Sequence, residues 1–224
     1  MKIGIIGGLG PLATVKFMEI LNKLLNNDKE MQFVVINDPT TPDRTNYILD
    51  NTKPNPIHSI IETIRKIEIF NCDLIVMPCN TASYFYKEIM ANTRIPFINI
   101  VEETVNYLKD INVKKVGLLA TEGTIKSDIY KHFLEEKGID LVLPSKNEQK
   151  VISSIIYDGI KAGEKININE FNTIIHSLQN KGCEKIILGC TELSALRMIY
   201  NLDNEVLIDA MEILAQKTLS YKKN

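Results

Sequence analysis

The second half of this 224-residue chain repeats the first. KIGIIGGLG (2–10) lies over KVGLLATEG (115–123) at an offset of 113, CDLIVMPCNTAS (72–83) over CEKIILGCTELS (183–194) at 111, and PFINIVE (96–102) over VLIDAME (206–212) at 110. A single match of this kind is common, because every buried strand is a short Val/Ile/Leu run. Three in the same order at a nearly constant offset point to an internal duplication. The repeat places Cys72 on Cys183, Cys79 on Cys190 and Ser83 on Ser194.

Short β-rich runs alternate with helix-period segments from end to end, the pattern of parallel strands joined by crossover helices. Strands are expected at 3–7, 33–37, 74–77, 97–100, 116–120, 141–143, 186–188 and 206–208. The fold class is therefore α/β, as two similar Rossmann-like lobes with parallel sheets related by a pseudo-twofold axis. Residues 1–98 with 209–224 form the expected N-terminal lobe carrying Cys79, and residues 99–208 the C-terminal lobe carrying Cys190. In this arrangement the helix after each third match leaves its own lobe, so the segment from Asp209 packs back on the first.

Ligands of open parallel sheets bind beyond the carboxyl ends of the strands, where Cys79 and Cys190 both fall. Each is expected where a strand ends and a helix starts, a position that favours anions and a reactive thiolate. Cys72 and Cys183, at strand beginnings, read as buried structural thiols.

Composition narrows the partner. The chain is 45% hydrophobic and 24% charged with a net charge of −2, which gives no electrostatic footprint for nucleic acid or an anionic membrane. No apolar run approaches the roughly 18 residues that span a bilayer. The apolar opening, Met1 to Ala13, holds a lysine, four glycines and a proline and reads as mature structure rather than a signal peptide. Four cysteines without C-x2-4-C spacing, far in sequence from His58, His132 and His176, fit neither a disulfide framework nor a zinc site. The expectation is a soluble, cytoplasmic protein with reduced thiols, no metal and a small-molecule partner.

The motifs Pro78-Cys79-Asn80-Thr81-Ala82 and Gly189-Cys190-Thr191-Glu192-Leu193 each end an apolar strand with a thiol followed by small polar residues. With Gly7-Gly8-Leu9-Gly10-Pro11-Leu12-Ala13-Thr14, Pro42-Asp43-Arg44-Thr45, Leu118 to Thr124 and Ile160-Lys161-Ala162-Gly163, they make the chain resemble, end to end, the aspartate/glutamate racemase superfamily and most closely its aspartate racemase branch. The resemblance implies a homodimer of two-lobed subunits that interconverts L- and D-aspartate without pyridoxal phosphate or another cofactor. It casts Cys79 and Cys190 as the acid/base thiols, Arg44 and Lys161 as substrate-carboxylate residues, and Asn80, Thr81 and Ala82 as a substrate-contacting loop. Two positions depart from the family pattern: Ser83 stands where many members have histidine, and Leu9 where many have methionine.

The chemistry also follows from residue types. Inversion at an α-carbon needs a proton to leave one face and another to arrive on the opposite face, which two groups related by a pseudo-twofold axis supply. The carbanion needs nearby positive charge or hydrogen-bond donors, for which Arg44, Lys161, Asn80 and Thr191 are candidates. Glu192 is a candidate for tuning Cys190. The range of substrates, aspartate alone or glutamate and others, is left open by these residues. Two rival readings exist. Gly8-x-Gly10-x-x-Ala13 with Asp38 after the second strand fits a dinucleotide fingerprint and an NAD-dependent oxidoreductase, although Pro11 removes a donor from the turn. A non-catalytic two-lobed binder would need only inert cysteines.

Overall fold

The computed structural model describes residues 1–25 and 31–222; residues 26–30 and 223–224, both within the expected N-terminal lobe, lie outside the described residues. Among the described residues two four-stranded sheets form, every pairing parallel. β1 (Lys2–Gly7), β2 (Gln32–Asn37), β3 (Leu74–Val76) and β4 (Phe97–Ile98) lie in the order β2-β1-β3-β4. β5 (Lys115–Leu119), β6 (Asp140–Val142), β7 (Lys185–Leu188) and β8 (Leu207–Asp209) repeat that order as β6-β5-β7-β8. All eight expected strands are present, and the duplication read from sequence is a duplication of sheet topology. β4 is shorter than expected because the Asn99 side chain accepts from the Val101 N–H and turns the chain into helix. Asp209, its counterpart in the repeat, does the same for the N–H groups of Met211 and Glu212.

The helices are α1 (Pro11–Leu25), α2 (Arg44–Leu49), α3 (Ile57–Ile69), α4 (Tyr86–Ala91), α5 (Ile100–Asp110), α6 (Glu122–Lys126), α7 (Ile129–Glu136), α8 (Lys146–Ser154), α9 (Ile168–Asn180), α10 (Thr191–Ile199) and α11 (Ala210–Ser220). A 3-10 helix at Thr81–Phe85 runs into α4, and a π-helix at Ile155–Lys161 continues α8. α3 and α9 bury matching stripes, Ile57/Ile60/Ile64/Ile67 at i, i+3, i+7, i+10 and Phe171/Ile174/Ile175/Leu178 at i, i+3, i+4, i+7, both spacings of a helix with one apolar face. They cover equivalent faces of the two sheets, α3 against Ile6, Ile75 and Met77, and α9 against Ile186 and Leu188.

A third cluster joins the lobes. It holds Ile3, Ile5, Leu74 and Val76 of the first sheet, Val116, Leu118 and Ile187 of the second, and side chains of α1, α5 and α11. At about 1.5–3 kcal/mol for each fully buried aliphatic side chain, this shared core is a principal attachment between the sheets. α5, which follows the first sheet's last strand, packs on α7, while α11, which follows the second sheet's last strand, packs on α1 and β4. Among the described residues no helix is long and apolar enough to cross a membrane.

Candidate active site

Cys79 and Cys190 line the same enclosed cavity at the carboxyl ends of the two sheets, each with little solvent exposure. The cavity measures about 10 Å³, room for about one water molecule. The thiols arrive by different local routes. Cys190 is the N-cap of α10, directly after β7 and Gly189. Cys79 stands three residues beyond β3 and precedes a five-residue 3-10 helix rather than the α-helix start expected from sequence.

Arg44, Asn80, Thr81, Lys161 and Thr191 line this cavity with the two cysteines. Ala82 does not line it; its backbone N–H hydrogen-bonds to Cys79. Arg44 begins α2, where Asp43 is the N-cap and accepts from the Asn46 N–H at 2.8 Å. The guanidinium is buried and already engaged: Nη2 donates to the Leu9 carbonyl and Nη1 to the carbonyls of Pro42 (3.0 Å) and Thr41 (3.4 Å). Of its nitrogens Nε has no partner, so in this state the planar fork holds two loops together. Lys161 ends the π-helix, with Nζ 4.3 Å over the Tyr157 ring and 3.8 Å from the Asp43 carboxylate. π-helical segments commonly mark functional sites; here one brings Tyr157 and Lys161 to a single wall.

Leu9, Asp43, Thr45, Thr121, Tyr157 and Glu192 complete the lining. Thr121 falls in the Leu118 to Thr124 motif without a role given to it there, and Tyr157 was not singled out by sequence reasoning; the aromatic four residues before Lys161 was the available signal. Of the positions departing from the family pattern, Leu9 lines the cavity, whereas Ser83 is buried in the 3-10 helix outside it.

The repeat shapes the contacts across the site. The residue two after each cysteine reaches the loop following the central strand of the other sheet. Thr81 shares hydrogen bonds with Thr121 (3.0 Å) and Thr124 (2.9 Å), which also contact each other at 3.0 Å. Its counterpart Glu192 presses against Gly10, where any Cβ would overlap the carboxylate. Gly123, matched to Gly10, is closed by Thr45, whose Cα would lie 2.7 Å from a Cβ there.

A neutral hydroxyl in one half against a carboxylate in the other makes the thiols unequal. Burial pushes both above the ordinary thiol range, which outweighs the helix-start effect expected from sequence. At Cys79 the Arg44 charge opposes that rise. Cys190 is driven much further, since beyond burial it faces the Glu192 charge and its Sγ donates to Glu192 Oε2 at 2.9 Å. Cys79 is thus the readier thiolate and Cys190 the firmer thiol. Cys72 and Cys183 are buried, free and away from the cavity.

An open cavity of about 450 Å³ adjoins the closed one and shares Leu9, Asp43, Arg44, Lys161 and Glu192 with it. It contains the glycine turn on which the dinucleotide reading rested. In the Asp38 carboxylate, assigned there to a ribose hydroxyl, Oδ1 accepts from the N–H (3.0 Å) and hydroxyl (2.6 Å) of Thr40. The Glu192 carboxylate against Gly10 also opposes a pyrophosphate. Among the described residues no cluster of three His, Cys, Asp or Glu can hold a metal ion.

A sequence model of the Asp/Glu/hydantoin racemase family matches residues 6–218. The broad-specificity amino-acid racemase RacX of Bacillus subtilis (strain 168) is 28% identical over 97% of this chain and 96% of its own. The structure of an aspartate racemase from Picrophilus torridus superposes with a TM-score of 0.84 at 32% identity, covering 96% of this chain and 90% of that one. A glutamate racemase of Aquifex pyrophilus is 27% identical over the whole chain and 84% of its own.

Proposed function

We propose that this chain, which belongs to the Asp/Glu/hydantoin racemase family, interconverts L- and D-aspartate by moving protons between the two faces of the α-carbon on Cys79 and Cys190. Its class, an amino-acid racemase and hence an isomerase, is that of the family. The observation that carries the two-thiol reading is that two buried cysteines from matched positions of a duplicated fold line one cavity.

The asymmetry of the thiols gives the resting state. Cys79 as thiolate, beside Arg44, removes the α-proton and becomes S–H. The electron pair left on the α-carbon spreads into the substrate carboxylate, which Asn80 holds throughout, and is stabilised by Lys161 and by the donor of Thr191. Cys190 then delivers its proton to the opposite face and is left as thiolate, ready for the reverse reaction. Glu192 keeps Cys190 protonated until that moment. Aspartate is favoured by the cations Arg44 and Lys161 at the cavity and by the likeness to the Picrophilus torridus enzyme. A broader substrate range is the second reading, favoured by the adjoining 450 Å³ cavity, which has room for longer side chains. The same reading takes residues 1–98 with 209–224 and residues 99–208 as the lobes, a homodimer as the assembly and a reducing cytoplasm as the compartment, in keeping with four free cysteines.

A screen of single L- and D-amino acids with chiral detection tests reaction and substrate together. Cys79→Ala and Cys190→Ala should each abolish racemisation with the fold retained, while Cys72→Ala and Cys183→Ala should act on stability alone. In heavy water, early D-aspartate formed from L-aspartate should carry deuterium at the α-carbon, because the donating thiol has already equilibrated with solvent. Early product that mainly keeps the substrate's own hydrogen would exclude a two-thiol path.

A further inference from the structure

Tyr130 lies outside the cavity lining, on α7 of the second half, yet its phenol oxygen donates to Asn80 Oδ1 of the first half at 2.6 Å. Both side chains are almost fully enclosed, Tyr130 at 1% and Asn80 at 2% exposure. Asn80 lines the cavity, and its Nδ2 is buried without any partner. An amide can present either end, and a buried donor left unmatched costs free energy. A fixed hydrogen bond to the oxygen end removes the ambiguity and reserves the nitrogen end for whatever enters.

We propose that Tyr130 is a positioning residue of this site: by donating to Asn80 Oδ1 it locks the amide with Nδ2 as a preset donor for the substrate's carboxylate. This rests on the racemase reading above. Burial holds the Tyr130 phenol in its neutral, donating form. A carboxylate arriving in the cavity then finds an oriented donor, so no rotation of the amide has to accompany binding. The contact also joins the two halves, so the donor is set only when α7 and the segment after β3 are seated together.

Steady-state kinetics of Tyr130→Phe, Asn80→Ala and the double variant, with an amide NMR spectrum of each, test the proposal. Tyr130→Phe should raise the KM for aspartate about tenfold with kcat changed less than about threefold, the pattern of lost uniform binding. In the Asn80→Ala background the same substitution should add less than about twofold, because the two residues act as one unit. A rise in KM that is equal in both backgrounds, or a fall in kcat with KM unchanged, overturns it. The Asn80 side-chain amide pair, assigned by its loss in Asn80→Asp, needs no turnover: it should move in Tyr130→Phe, and a pair that stays in place overturns the positioning role. A parental protein that racemises no amino acid would sink the racemase reading, while the amide pair still decides on Tyr130. If Tyr130→Phe does not fold, titration of the parental protein decides: aspartate should shift the Asn80 pair, and an unmoved pair refutes the donor role.

Discussion

Glu192 is the side chain that most distinguishes the two cysteines, because its counterpart Thr81 places no charge beside Cys79. Glu192→Gln removes the charge that holds Cys190 protonated. The Cys190 ionisation should therefore move down in pH, and its alkylation by iodoacetamide at pH 7–8 should speed up several-fold, with Cys79 changed less. Peptide mapping of labelling rates against pH checks this; equal acceleration of both thiols would mean that the variant merely opens the cavity. The cysteines, Arg44 and Lys161 were legible because they sit in compact motifs whose residue types imply a chemistry. Tyr130 and Tyr157 were not: a tyrosine in a helical stretch looks like core, and only long-range packing brings Tyr130 to Asn80, fifty positions earlier. The sequence also pointed to two acidified thiols. Whether a helix start or burial dominates depends on how tightly the cavity closes, which no local pattern encodes.

At the level of elements, the matched glycines show how one repeat can serve two purposes. A Cβ on Gly10 would meet the mobile end of Glu192, whereas one on Gly123 would meet the Thr45 backbone at the start of α2. Gly10→Ala should displace the Glu192 carboxylate and reduce turnover with little change in Tm. Gly123→Ala should force α2 and α6 apart, costing about 1–3 kcal/mol as overpacking does, and should raise KM through the neighbouring Arg44. Thermal melts with kinetics on both variants separate the cases; a large Tm loss in Gly10→Ala would show that Glu192 is not free to yield. The strands were legible from apolar runs bounded by turn residues, and the repeat supplied their order. Strand ends were less so, because Asn99 and Asp209 end β4 and β8 through side-chain caps that compete with extension. The π-helix after α8 was not legible, since its seven residues are too few to establish a period of their own.

For the whole molecule, a cavity the size of one water cannot admit an amino acid while the halves are closed. Entry requires the contacts across it to part: the hydroxyl triangle of Thr81, Thr121 and Thr124, and the Lys161–Asp43 pair. None of these is apolar, so they can exchange with water at modest cost, whereas parting the shared hydrophobic cluster would expose apolar surface. The exchange of closing helices has a further consequence. α11 covers α1 and β4 of the opposite sheet, and α5 rests on α7, so each half wears a piece that belongs, in chain order, to the other. Split at the tight turn after α5, where Asn112 adopts a left-handed conformation, the protein should behave as two incomplete pieces. Fragments 1–112 and 113–224 should each lack a cooperative melt alone, and should recover one, with a native circular dichroism spectrum, when co-expressed. A fragment that folds by itself as a stable monomer would contradict this. A gene encoding a single repeat would face the same demand, and could meet it only by trading that terminal helix with a second copy of itself.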